Sequence, residues 1–326
     1  MIDIVLFSFL LATAIAIARM RDLFAVIMLS GIYSLIAASL FITMDAADVA
    51  FTEAAVGAGV STLLLLKTLA LVDRHESTGP TRPGLAITVV IATGALLAYG
   101  TLDMHPFGET HTPSNDHIAA YYLENSIEDT GVPNVVTSIL ASYRGFDTLG
   151  ELIVIFTAGI GVIVLLGQTG TSDSEIRPAM RQHLVLRVVS KILIPFIMLF
   201  AFYVQFHGEY GPGGGFQAGV IFASAVILYS ILFGPEAARS VFSNATTRIL
   251  AVSGVLLFAC TGIVSMLKGK AFLDYSALAE DPVSGQLLGI LLVELGVGIT
   301  VAAVLIRVFL EFDERRWQPD DQRGQS

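Results

Sequence analysis

Nine blocks of mostly apolar residues dominate the sequence, each close to the roughly 20 residues that a helix needs to cross a bilayer. They fall near residues 2–18, 23–43, 47–72, 84–103, 147–168, 184–206, 213–233, 247–267 and 285–310. In hydrocarbon no water satisfies backbone N–H and C=O groups, so a spanning segment is either a helix or a strand of a closed barrel. Barrel strands alternate apolar and polar residues, and these blocks do not alternate. The chain reads as an all-α polytopic membrane protein with about nine transmembrane helices. Composition agrees, since only 14% of the 326 residues are charged, too few for the surface of a soluble protein, where about 25% is usual.

The formal charge is -10. No basic stripe exists to neutralise phosphates, so nucleic acid is excluded as a partner. Cys260 stands alone, and the six histidines form no HxxH or HExxH pair. Neither a cysteine-based metal site nor a resident cofactor is expected. The first block is followed by Arg19 and Arg21 without a small-residue cleavage site, and is expected to be a retained span rather than a signal peptide.

Lys and Arg outside the blocks divide unevenly. The N-terminus and the loops after spans two, four, six and eight hold only Arg144, Lys268 and Lys270, while the other side holds thirteen arginines when Arg187, Arg248 and Arg307, at the near ends of spans six, eight and nine, are counted with it. The basic side faces the cytoplasm, so the N-terminus is expected outside and the C-terminus inside. Three units are expected. Residues 1–76 form a three-helix unit, 84–168 a two-helix unit with a long external segment, and 184–310 a four-helix unit, followed by a cytoplasmic tail at 311–326. Within the external segment, residues 117–127 read as a short interfacial helix with Tyr121 and Tyr122 at the lipid boundary.

Ionisable residues at membrane depth cost at least about 2.5–3.5 kcal/mol on insertion scales and are functional candidates for that reason. Five lie within the spans: Glu53, Lys67, Glu151, Lys191 and Glu294, with Asp48 and Asp147 near span ends. Glu53 and Lys67 are fourteen residues apart, which at about 100° per residue returns to nearly the same helix face. Asp147 and Glu151 share a face at i, i+4. Two acid pairs entering from one side suggest a cation-collecting vestibule. The plainer readings are packing seams, an N-cap at Asp147, and snorkelling of Lys67 and Lys191. Gly57 and Gly59, after Glu53, weaken the helix by about 1 kcal/mol each relative to Ala, so this stretch is expected to leave α-geometry. The segment His207-Gly-Glu-Tyr-Gly-Pro-Gly213-Gly214-Gly215-Phe-Gln217 is either a broken helix start lining a polar cavity or a tight hairpin.

Several of these stretches resemble a known family. Asp48-Val-Ala-Phe-Thr-Glu53-Ala-Ala-Val-Gly-Ala-Gly59 resembles the first of two small modules at the C-terminal end of the large, A-type polypeptide of Mrp-type cation/proton antiporters, and Tyr143-Arg-Gly-Phe-Asp147-Thr-Leu-Gly-Glu151 resembles the second. Both modules also resemble the D and E membrane subunits of hydrogenases. Gly211-Pro-Gly-Gly-Gly-Phe-Gln217-Ala-Gly219 and Leu292-Val-Glu294-Leu-Gly-Val-Gly-Ile-Thr300 resemble the B-type polypeptide of the same antiporters. A likeness to the membrane arm of respiratory complex I implies a π-bulge near Gly57 to Gly59.

The resemblance implies an ion-translocating subunit of a multisubunit Na+/H+ antiporter in a bacterial or archaeal cytoplasmic membrane, transporting Na+ and H+ and not acting as an enzyme. It also implies other hydrophobic antiporter subunits as partners, including a large antiporter-like one. Asp48, Glu53, Lys67, Asp147, Glu151, Lys191 and Glu294 would line the ion path, with Glu53 foremost. The alternative is a structural or ion-path component of a redox-driven relative such as a membrane-bound hydrogenase. The topology is checked by reporter fusions: those at Arg74 and Arg239 are expected to report the cytoplasm, and an external signal at either overturns the orientation.

Overall fold

The computed structural model describes residues 1–77, 83–166 and 184–314. Among these, nine helices are long and apolar enough to cross a membrane. They are α1 Ile2–Arg19, α2 Leu23–Thr43, α3 Ala47–Leu69, α4 Pro83–Thr101, α5 Gly145–Leu166, α6 Leu184–His207, α7 Gly215–Phe233, α8 Asn244–Leu267 and α9 Pro282–Glu314. No strand forms among the described residues, and Asp22 and His75 share one isolated antiparallel bridge. The polar stretch expected at 169–182, most of the linker after Glu76 and most of the tail lie outside the described residues.

The ends differ from the apolar blocks where capping chemistry overrides hydropathy. The start of α9 precedes its block because the Asp281 carboxylate accepts the amide of Ser284 at 2.9 Å, and Pro282, which has no N–H to satisfy, takes the first helical position. Similarly, α8 starts at Asn244 because the Ser243 hydroxyl accepts the Thr246 amide at 3.1 Å. At its far end α9 runs on to Glu314, so Glu311 and Asp313, expected in a tail, are helical.

The core lies around α9 and α7. In their most apolar stretches 61% and 56% of residues are buried, against none in α1 and α4. Ile290, Val293, Val301 and Phe309 of α9 meet Val220, Ala223 and Ile227 of α7 and Phe258 of α8. α1 and α4 turn apolar side chains outward all round, as a helix facing lipid or another membrane chain does.

The external segment forms a π-helical turn, Ser114–Ala119, that runs into an α-helix at Ala120–Thr130. This is the interfacial helix expected at 117–127, with an irregular first turn. Gly131 ends it with φ 74°, and a short helix at Val135–Ser138 continues into π-helix at Ile139–Tyr143. The Tyr143 hydroxyl donates to Asp129 at 2.6 Å, and burial together with that carboxylate raises the phenol above its ordinary pKa. The segment is clasped to the third unit by Ser142, which donates to Gln286 at 2.8 Å, and by Tyr275, which donates to the carbonyl of Ala141 at 2.9 Å. Between α1 and α2, Asp22 accepts the Phe24 amide at 3.0 Å and pairs with Arg74 at 2.7 Å. The hydrogen bond from Arg74 holds the Asp22 carboxyl at about 2, below its ordinary value.

Tyr275 is fully buried. Tyr275→Phe leaves the Ala141 carbonyl without its partner, a loss of about 1–2 kcal/mol. Thermal unfolding of the purified protein is expected to shift down by a few degrees; an unchanged midpoint would show that the clasp contributes nothing.

Candidate intramembrane acid site

The site is assembled around the connection between α6 and α7. α6 ends at His207, and the next residues form a short hairpin held from outside. Asn134 donates to the carbonyls of Gly208 and Gly211 at 3.0 Å each, and Thr137 donates to Gly208 at 2.6 Å. The amide of Gly214 turns back to the carbonyl of Val204 at 3.1 Å. Gly214 has φ +109°, a region closed to side chains with a Cβ, and a Cβ there would lie 3.2 Å from Oε1 of Glu294. The glycine-rich segment is thus a tight hairpin that also opens a polar wall.

That wall meets α3. The amide of Gly213 donates to Asp48 at 3.1 Å, and Gln217 donates to the Thr52 hydroxyl at 2.9 Å. A cavity of about 310 Å³ lies here, lined by Asp48 and Thr52 of α3, Glu151 of α5, Gly213 to Gln217, and Glu294 of α9, with Thr137 at its side. One carboxylate comes from each of the three expected units. Apolar walls come from Leu152, Phe258, Val293 and Val297. Among the described residues, no hydrogen bond ties down the carboxylate of Glu294, and Asp48 and Glu209 are close enough to act on it electrostatically. Glu209 lies on the hairpin itself, where partial burial raises its carboxyl above the ordinary value. A larger, more open hollow of about 460 Å³ between Asp129, Tyr143, Asp274 and Gln286 is lined by none of the intramembrane acids.

The remaining expected residues go elsewhere. Asp147 is exposed and pairs with Arg144 at 2.5 Å. Glu53 faces α2: its Oε1 and the Ser34 hydroxyl flank Gly57, where a Cβ would lie 2.6 Å from that Oε1. Residues Ala54–Ser61 are π-helical, the irregularity expected around Gly57 and Gly59, and Thr62 donates back to the carbonyl of Gly57 at 3.3 Å. An i→i+5 ladder holds more residues per turn than an α-helix, so the phase set at Glu53 is lost by Lys67. The two do not share one stripe. Lys67 faces α9, where it pairs with Asp313 and sits 5.1 Å from the Phe309 ring centre. Lys191 lies over the ring of Phe233 at 5.7 Å.

Sequence reasoning did not single out Glu209, Thr137, Glu311 or Asp313. Glu311 pairs with Arg307 inside the bundle, and their opposite charges at i, i+4 were a usable signal. Arg239 donates to the carbonyl of Leu310 at 3.3 Å in the same region. Nothing local marks Thr137, whose role depends on a hairpin 71 residues away.

The Lys67–Asp313 pair joins the first unit to the last helix. Lys67→Met and Asp313→Asn are each expected to lower the unfolding midpoint, and the double variant to lose less than their sum. The coupling should lie between about 0.5 and 3 kcal/mol, as for residues in direct contact. Additive losses would show that the pair contributes no linkage.

Three families match in succession. Residues 8–74 match the MbhD family of MBH subunits, residues 82–183 match the MbhE family of MBH subunits, and residues 185–307 match the domain related to the MnhB subunit of Na+/H+ antiporter. Proteins carrying the name antiporter subunit mnhB2 from Staphylococcus aureus strains Newman and JH1 are 38% identical over 135 residues, 40% of this chain and 95% of theirs. Among solved structures, the Mrp complex from Dietzia sp. DQ12-45-1b overlays 97% of this chain with a TM-score of 0.78 and 26% identity. This chain spans 35% of the length of that one. The membrane-bound sulfane sulfur reductase, an archaeal respiratory membrane complex, overlays 72% of this chain and 99% of its own with a TM-score of 0.57 and 29% identity.

Proposed function

Because the chain belongs to the MnhB family of Na+/H+ antiporter subunits, here joined to units like MbhD and MbhE, we propose that it is an ion-path component of an Mrp-type Na+/H+ antiporter. It sits in the cytoplasmic membrane and works beside other hydrophobic antiporter subunits. The observation that carries this reading is the cavity in which Asp48, Glu151 and Glu294 meet at the junction of the three units. A purely structural seam would fill such a space with side chains, because interiors pack to the density of organic crystals.

Carboxylates held near hydroxyls and amides suit a site that takes either a cation or a proton. Asp48 is anchored by Gly213, and Gln217 by Thr52, which leaves Glu151 and Glu294 as the cavity acids free to exchange partners, Glu294 being the one against the hairpin glycines. From there α3 offers a route through the bundle, by way of Glu53, which directly precedes its π-helical stretch and faces α2, to the Lys67–Asp313 pair facing α9 at the other end. The break in regular geometry beside Glu53 gives that route a place where the helix rearranges at low cost. The loops richest in arginine would face the cytoplasm, so the cavity would open toward the outside.

A structural role within a redox-driven assembly is the weaker reading. It is favoured by the overlay on the sulfane sulfur reductase complex, which covers less of this chain than the Mrp overlay does.

The test is Na+/H+ exchange in membrane vesicles carrying the assembled complex. Glu294→Gln keeps the volume and removes the charge. Exchange is expected to fall by roughly tenfold or more, the effect of about 1.4 kcal/mol in a barrier, with assembly intact. Glu53→Gln and Glu151→Gln are expected to lose less, and Asp147→Asn to behave as the parent. Full exchange by an assembled Glu294→Gln complex would leave the cavity with a structural role only.

A further inference from the structure

The side of the bundle opposite the acid cavity carries two cations that no part of the described chain neutralises. Arg187 and Lys191 are four residues apart on α6, so they share one face. Both lie over the same ring, that of Phe233 at the end of α7, at 5.3 and 5.7 Å from its centre. The ring is held in place by Tyr229, whose own ring centre is 4.9 Å away. Among the described residues, no carboxylate forms an ion pair with Arg187 or Lys191. Two cation–acid pairs lie on the same side: Lys67 with Asp313 and Arg307 with Glu311.

The Nε of Arg187 is enclosed without a hydrogen-bond partner, and its guanidinium carbon lies 5.3 Å from the centre of the Phe233 ring. Its two terminal nitrogens make no hydrogen bond to the described chain and are not enclosed. The Lys191 residue is exposed. The two cationic heads therefore present donors outward from a fixed aromatic base, the arrangement that suits a phosphate: a planar guanidinium fork beside a point charge.

Depth selects the source of that phosphate. α6 has 24 residues, a length of about 36 Å, against a hydrocarbon core of about 30 Å. The surplus of about one turn puts Arg187 at the level of the headgroups. Lys191 starts one turn deeper and reaches the same level by extending its side chain. We propose that Arg187, Lys191 and Phe233 form a binding site for the phosphate of an anionic phospholipid, in the leaflet on the arginine-rich side. The neighbouring apolar surface of α6, including Val188, Ile192 and Phe196, is exposed and runs alongside where the acyl chains would lie.

The site is tested on the purified complex reconstituted in phosphatidylcholine vesicles containing a minor share of photoactivatable phosphatidylglycerol. Crosslinks are mapped to peptides of α6 and of the α7 end. The labelled phosphatidylglycerol is expected to mark these peptides well above an equally labelled phosphatidylcholine. Lys191→Gln is expected to lower the yield about fivefold, the contribution of one cation near an anionic leaflet, and the R187Q/K191Q pair to lower it further. Arg187→Lys, which keeps the charge and loses the planar fork, should retain less than the parent and more than Arg187→Gln, and Arg19→Gln should retain all of it. Excess inorganic phosphate is expected to leave the crosslink unchanged. Equal marking by phosphatidylcholine, an unaltered yield in Lys191→Gln, or displacement by inorganic phosphate would each overturn the lipid site. Because Lys191 is exposed, the single variant carries the test even where the double variant does not assemble.

Discussion

Charge at membrane depth sets the terms on which this bundle is built, because an ionisable side chain in hydrocarbon has to be answered by protein, by water or by an escape to the interface. The chain shows two of these answers directly and provides room for the third. Lys67 and Asp313 answer each other, as do Arg307 and Glu311. Arg187 and Lys191 sit at the end of α6 over an aromatic ring. Asp48, Glu151 and Glu294 instead converge on a cavity. The first two solutions fasten and anchor helices, and the third leaves carboxylates facing a space between them, where the proposed exchange would take place. The same sequence therefore separates fastening at one end of the bundle from chemistry at the other.

The hairpin between α6 and α7 is what turns scattered acids into one site. Asn134 and Thr137 hold its carbonyls, and its amide at Gly213 receives Asp48. The external segment, the first unit and the third unit all bear on these few residues. Gly214 is bounded by both its φ and the nearness of Glu294, so the backbone there has little freedom to drift. The hairpin meets α3 at Asp48, and Gln217 just beyond it meets Thr52, both before the π-helical stretch begins at Ala54. The three carboxylates thus come together without a dedicated loop from any single unit.

Much of this was legible in the residues themselves. Blocks of about 20 apolar residues dictate helices, because in lipid the backbone has no other way to bond itself. Glycines and alanines after Glu53 foretold the departure from α-geometry, and Asp48, Glu151, Gln217 and Glu294 stood out as polar groups where polarity is costly. What the residues could not reveal was direction. Lys67 and Glu53 look like one stripe when counted at α-helical spacing, and the π segment Ala54–Ser61 turns them to different neighbours. Asp147 resembles Glu151 in sequence, yet Arg144 claims it outside. The partners of Lys67 and Thr137 lie 246 and 71 residues away, distances that no local pattern spans. Sequence alone determined which segments are long and apolar enough to span, which of them carry charge, and where α3 leaves α-geometry, because those follow from local hydration and backbone bonding. Only the tertiary structure decided which charges meet, because that depends on helix phase and on contacts between segments that nothing in their own neighbourhood foretells.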